Sequence, residues 1–132
     1  MRRLWLARIL IATVIAWNLQ VAFVFLSSPE AFAPGFELNG IPGSAAIRGI
    51  AVLFVMWNVP YLVACRHPQK HILALKEALA MQSIGLLGES WIFMSLSAEH
   101  ALLQSSILRF IAFDAAGLAL LVIAFVLARQ QM

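Results

Sequence analysis

The sequence predicts an all-α fold, an integral membrane four-helix bundle with both termini in the cytoplasm. Of the 132 residues, 63% are hydrophobic and only 11% are charged, a composition typical of membrane proteins. The apolar residues are gathered into four blocks separated by proline, glycine and charge. Because a helix needs roughly 20 apolar residues to cross the hydrocarbon core, four crossings occupy nearly the whole chain. We therefore expect residues 1–132 to form one transmembrane domain.

The distribution of basic residues predicts the orientation in the membrane. Glu30, Glu37 and Glu99 lie in the first and third connections between the apolar blocks. Seven of the nine lysines and arginines lie instead near the N-terminus, in and just after the second connection, or at the C-terminus: Arg2, Arg3, Arg8, Arg66, Lys70, Lys76 and Arg129. Under the positive-inside rule, that side is cytoplasmic. This predicts an even number of crossings in a bacterial-type inner (plasma) membrane.

The four helices are expected over about residues 4–26, 45–65, 71–96 and 101–129. Ala31-Phe32-Ala33 resembles a signal-peptide cleavage site, but the apolar stretch before it is longer than a usual signal-peptide core, which favours an uncleaved anchor. The proline- and glycine-rich connection 27–44 predicts an irregular outer loop, either a packed surface loop or a lid. The very short turn before residue 101 predicts that the third and fourth helices form an antiparallel hairpin.

Arg48, Glu89, Arg109 and Asp114 lie inside stretches that are otherwise apolar enough to cross a bilayer. Ionisable groups in a membrane span cost several kcal/mol, so they usually face a bundle interior, pair with each other or line a pathway. At about 1.5 Å of rise per residue, all four fall in the outer half of the bundle. Together with two polar residues of the second and third helices, they form the predicted ligand or ion site: Arg48, Asn58, Gln82, Glu89, Arg109 and Asp114.

Helix geometry predicts how these charges pair. Arg109 and Asp114 point about 140° apart on one helix, so each is expected to meet a partner on another helix. We expect Glu89 to pair with Arg109 across the hairpin, and Asp114 to meet Arg48 or Asn58. Gln82, Gly85 and Glu89 form one stripe that should face protein, while Gly85 and Gly88 would let a neighbouring backbone approach. Three roles remain open for these charges: structural pairing between helices, a ligand or ion site, and a proton relay.

The sequence contains no motif of a known catalytic chemistry. Cys65 is the lone cysteine, so neither an internal disulfide nor a redox pair is expected. No phosphate-binding loop, nucleophile elbow or metalloprotease motif is present. His67 and His71 have Pro68 between them and no third ligand in view. We therefore predict no catalytic, cofactor-binding or metal-binding residue, leave the cofactor open, and favour a protein that is not an enzyme.

One stretch carries a resemblance to a known group of proteins. Ile47-Arg48-Gly49-Ile50-Ala51 opens the second helix after the proline- and glycine-rich connection, and this order is similar to that of the DoxX-like group of small four-helix bacterial membrane proteins. The resemblance implies a four-helix fold and association with membrane redox systems. It transfers no catalytic residue, and Glu89 stands where a basic residue is expected for that group.

These observations predict a ligand-binding or accessory subunit of a membrane redox or transport system. The expected partners are the lipid bilayer and either a hydrophobic small molecule or another membrane protein; a homo-oligomer is compatible, and nucleic acid is not expected. One alternative is a proton-coupled, small multidrug-type transporter that uses Glu89. The other is a membrane isomerase resembling emopamil-binding proteins, with Glu89 and Asp114 as its acid and base.

Overall fold

The computed structural model describes residues 2–130, and these residues are helical with no β-strand among them. The α-helices are α1 (Arg2–Ser27), α2 (Pro29–Phe32), α3 (Gly40–Arg66), α4 (Ile72–Ser95) and α5 (Ala101–Arg129). Two short 3-10 helices, Ala33–Phe36 and Ala98–His100, complete the order. The predicted all-α class is therefore confirmed.

Three segments are long and apolar enough to cross a membrane: Arg2–Ser27, Gly40–Arg66 and Ala98–Arg129. The remaining long helix, α4, is not among them, and it carries Lys76, Glu77 and Glu89. The structure thus contains three candidate spans and one further long helix.

The four long helices pack side by side in a closed order. Helix α1 contacts α3 and α5, and α4 contacts the same two helices from the opposite side. Small residues lie fully buried along these contacts, including Ala7, Ala64, Ala78 and Ala124. Small side chains let neighbouring helix backbones approach closely, so the helices form one continuous interior.

The two ends of this helical assembly differ. At one end, the terminal end, Arg3 Nη1 donates to Gln130 Oε1 at 2.9 Å and ties the start of α1 to the end of α5. At the other end, the loop end, the connection 28–39 meets the turn before α5. There Ser106 Oγ donates to the carbonyl oxygen of Gly35 at 2.6 Å.

The prediction of an irregular loop over residues 27–44 is wrong. This stretch contains α2, a 3-10 helix and the first turn of α3, which begins at Gly40 and not near residue 45. Pro29 is the first residue of its helix, and Pro42 lies in the first turn of α3. Proline is tolerated there because first-turn N–H groups have no partner within the helix. Pro29 and Ala33 are buried, so the connection is a packed part of the interior.

Candidate functional site

A chain of polar side chains crosses the interior from α3 through α4 to α5. The Tyr61 hydroxyl lies 2.5 Å from Gln82 Oε1 and 3.2 Å from the carbonyl oxygen of Ala78, and either oxygen accepts its proton. Gln82 Nε2 donates to Asp114 Oδ1 at 3.0 Å and lies 3.3 Å from the Asp114 carbonyl oxygen. Tyr61 and Gln82 are almost completely buried. Because buried polar groups cost free energy unless they are paired, these bonds fix the relative rotation of the three helices.

The chain ends in two carboxyl groups that contact each other. The Asp114 carboxyl, on α5, lies against that of Glu89 on α4. Glu89 lies two helical turns beyond Gln82, on the same face of the helix. Its Oε2 atom is buried and has no hydrogen-bond partner among residues 2–130. An ionised carboxylate only accepts hydrogen bonds, so this contact becomes a hydrogen bond when one of the two groups carries a proton. We call Tyr61, Gln82, Asp114 and Glu89 the polar chain.

Two glycines leave the space that the polar chain occupies. A Cβ atom on Gly85 would lie 2.5 Å from Asp114 Oδ2, and one on Gly117 would lie 2.7 Å from Gln82 Nε2. In contrast, a Cβ atom on Gly88 would meet nothing within 4 Å. The expectation that Gly85 and Gly88 both admit a neighbouring backbone is therefore wrong. Gly85 admits a carboxylate side chain, and Gly88 borders open space.

The ion pairs predicted for Arg48, Glu89, Arg109 and Asp114 are absent from the part of the chain that the structure describes. Neither Arg48 nor Arg109 forms an ion pair there, and the pair that does occur joins His100 Nδ1 to Glu37 Oε2 at 2.5 Å. Both arginine side chains are exposed. A long arginine side chain can carry its charge to the surface while its stem covers apolar neighbours. The two cations thus lie at the periphery, and the two anions meet each other inside.

Asn58 also stays outside the polar chain. Its side chain is fully buried, but Nδ2 donates to the carbonyl oxygen of Phe54 on the same helix at 2.6 Å. Its Oδ1 atom has no partner among the residues described. The predicted contact between Asp114 and Asn58 does not form. Of the six predicted site residues, the structure brings together Gln82, Glu89 and Asp114.

Arg109 borders a cavity of about 360 Å³ at the loop end, which we call the outer pocket. Its walls come from α1, the connection and α5, and they are mainly apolar: Val21, Val24, Phe25, Phe32, Phe36, Phe110 and Phe113. The rings of Phe36 and Phe110 stack with centroids 5.8 Å apart, and Phe25 meets Phe110 edge-on. Ser106, the hydroxyl-bearing residue of the lining, donates to Gly35. The Arg109 guanidinium has no partner within residues 2–130 and is free to bind a ligand.

Phenylalanine side chains separate the outer pocket from the polar chain. A cavity of about 10 Å³, bordered by Asp114, shares Val21, Phe110 and Phe113 with the outer pocket. A space of that size holds about one water molecule. Trp17 packs edge-on against Phe113 with ring centroids 6.1 Å apart. The carboxyl pair therefore lies behind an aromatic wall and not inside the pocket.

Sequence reasoning missed Tyr61 and the aromatic lining of the outer pocket. Tyr61 lies one helical turn after Asn58, on the same face of α3, so the spacing that selected Asn58 contained a signal for it. The phenylalanines offer a weaker signal, since Phe113 lies four residues after Arg109 on one face of α5, but no spacing joins it to Phe25 or Phe36. They come from α1, the connection and α5, and only the folded connection brings them together.

Comparisons with protein-family models, with curated proteins and with solved structures gave no match. The resemblance to DoxX-like proteins therefore stays a prediction.

Replacing Gly85 with alanine tests the polar chain. We expect Gly85→Ala to give a lower thermal unfolding midpoint in detergent than Gly88→Ala, because both variants gain the same helix propensity but only at Gly85 does the new methyl group displace the Asp114 carboxyl from its hydrogen bond with Gln82. Loss of a bond of this kind costs about 1 kcal/mol, and more if a buried group stays unpaired. Gly88→Ala is the matched control on the same helix; it should keep or raise the midpoint, since alanine favours helix by about 1 kcal/mol. Equal effects of the two substitutions would contradict this assignment.

Proposed function

We propose that the protein is a four-helix bundle of a bacterial inner membrane with both termini cytoplasmic, in which α4 is the fourth crossing. After Glu77, Glu89 is the sole charged residue of α4, and its carboxyl turns inward toward Asp114. Ile84, Leu87 and Trp91 are each about 70% exposed. A large exposed apolar face is typical of contact with lipid or with another protein. The predicted charge asymmetry supports the orientation, and the DoxX-like resemblance supports the helix number.

We propose that this bundle binds a small amphiphile in the outer pocket, as a ligand-binding or accessory subunit of a membrane redox or transport system. The observation that carries this proposal is the free Arg109 guanidinium at the edge of an aromatic pocket of about 360 Å³. That volume lies within the range of small-molecule sites. A guanidinium presents several donors in a planar fork that fits carboxylate or phosphate oxygens. The ligand we infer has an apolar body and an anionic or carbonyl head group.

The position of Arg109 fits a ligand that enters from the lipid. At about 1.5 Å per residue, Arg109 lies roughly 12 Å from the loop end of α5. The pocket walls are provided mainly by aromatic rings, which give a large apolar contact area. In contrast, the carboxyl pair lies behind Phe110 and Phe113. An isomerase would need acid and base groups that reach its ligand, so this arrangement disfavours the emopamil-binding-like alternative.

Arg109→Gln tests the outer pocket. We expect a brominated fatty acid to quench Trp17 fluorescence saturably in a background where Trp5, Trp57 and Trp91 are replaced by phenylalanine. Hydrogen bonds to charged groups contribute about 1.5–3 kcal/mol, so Arg109→Gln should weaken binding about tenfold to a hundredfold.

Arg48→Gln is the matched control for this measurement. Arg48 is also an exposed arginine near the loop end, but it lines a separate cleft with Glu30 and Asn39. We expect this substitution to leave the binding constant unchanged. Unsaturable quenching, or equal weakening by both substitutions, would contradict the proposal.

The contact between Glu89 and Asp114 favours a second candidate function, proton-coupled transport. Carboxyl groups inside membrane spans mark proton relays in pumps and transporters. Predicted arginine partners would have held both carboxylates ionised, but the structure shows neither partner. A pair of carboxyls that binds and releases one proton is the element that such a transporter requires.

Transport by reconstituted protein tests this second candidate. With an imposed proton gradient, we expect liposomes containing the wild type to accumulate tetraphenylphosphonium, and Glu89→Gln to abolish accumulation because the amide cannot exchange the proton. Glu77→Gln, at an exposed carboxyl on the same helix, should transport normally. Unchanged transport by Glu89→Gln, or none by the wild type, would assign the carboxyl pair a structural role.

A further inference from the structure

Two clefts at the terminal end share the same pair of arginines. One, of about 160 Å³, is lined by Trp5, Arg8, Arg66 and His67 together with Leu4 and Pro68. The other, of about 420 Å³, is lined by Arg8, Arg66 and the α3 residues Val59, Leu62, Val63 and Cys65. The arginines therefore stand between a small cleft near the helix ends and a larger cleft that continues along α3, and both clefts have mainly apolar linings.

Arg8 is held in place so that part of its guanidinium stays available. Its Nε atom donates to the carbonyl oxygen of Cys65 at 3.0 Å, and its guanidinium lies 4.5 Å from the centre of the Trp5 ring. The terminal nitrogens of Arg8 have no hydrogen-bond partner within residues 2–130, and the same holds for the exposed side chain of Arg66. A guanidinium fixed by one donor loses little further freedom when its other donors bind an anion.

The larger cleft continues from the arginines along one face of α3. Val59, Leu62, Val63 and Arg66 follow the spacing i, i+3, i+4 and i+7, which places them along one side of the helix. Val59 is 58% exposed and Leu62 is 48% exposed. An extended apolar strip that ends at two cations matches an acyl chain attached to an anionic head group.

We propose that this double cleft binds one anionic phospholipid, with its phosphate between Arg8 and Arg66 and an acyl chain along Val59, Leu62 and Val63. The inference rests on the membrane placement proposed above, which puts the terminal end at the cytoplasmic leaflet. Among residues 2–130, no acidic side chain lines either cleft, so the positive charge of the two arginines is left for the ligand. Basic pockets between helices on the cytoplasmic side are suited to anionic lipid head groups.

Native mass spectrometry with defined lipids tests the proposal. We expect the protein in detergent to retain one phosphatidylglycerol per chain at concentrations at least tenfold lower than those needed for phosphatidylcholine. Arg66→Gln should weaken phosphatidylglycerol retention at least tenfold. Arg129→Gln, another arginine at the terminal end but outside both clefts, should leave it unchanged. Arg66 is exposed at a helix end, so its substitution should leave the unfolding midpoint unchanged.

Three results of these measurements would overturn the phospholipid proposal. Displacement of the lipid by millimolar inorganic phosphate would show a site for the free anion, and equal retention of both lipids would show no head-group selection; either result overturns the proposal. Equal weakening of phosphatidylglycerol retention by Arg66→Gln and Arg129→Gln would overturn the proposal as well. Trp17 quenching by the brominated fatty acid should persist in Arg66→Gln, because the outer pocket lies at the opposite end. If the wild type shows saturable Trp17 quenching but no preference for phosphatidylglycerol over phosphatidylcholine, the lipid site is contradicted and the outer pocket is not.

Discussion

The contact between the Glu89 and Asp114 carboxyls is the interaction on which the arrangement of the interior depends. Two like charges in contact repel strongly away from bulk water, and the described residues provide no cation beside them. A shared proton removes that repulsion. Gln82 and Tyr61 extend the contact from α5 and α4 to α3, while Gly85 and Gly117 leave the space that it needs. The polar chain thereby sets the rotation of three helices.

This arrangement separates the charges of the chain by position. The carboxyl pair is inside, Arg109 borders the outer pocket, and Arg8 and Arg66 lie at the terminal end. Phe110 and Phe113 stand between the outer pocket and the carboxyls. A ligand in the pocket would therefore meet a cation without meeting the anions, which fits binding of an acidic or carbonyl-bearing amphiphile. The carboxyl pair remains available for proton chemistry of its own.

Sequence periodicity was sufficient to predict the helical class and the inward face of α4 that carries Gln82 and Glu89. It was insufficient for the partners of the charges. The rise per residue places Glu89 and Arg109 at a similar depth in the bundle. The direction of each side chain depends instead on the rotation of its helix, which the buried Tyr61 and Gln82 determine. An arginine at the right depth can also reach the surface. The prediction of an irregular connection fails because proline breaks a helix interior but is accepted in the first turn, where Pro29 and Pro42 stand.

The most direct test of this account is a pair of double-mutant cycles on the free energy of unfolding in detergent. We expect a coupling energy of about 0.5–3 kcal/mol between Glu89→Gln and Asp114→Asn, because these side chains touch. We expect additivity within about 0.5 kcal/mol between Glu89→Gln and Arg109→Gln, because these side chains do not touch. Coupling of Glu89 to Arg109, with none to Asp114, would contradict the account.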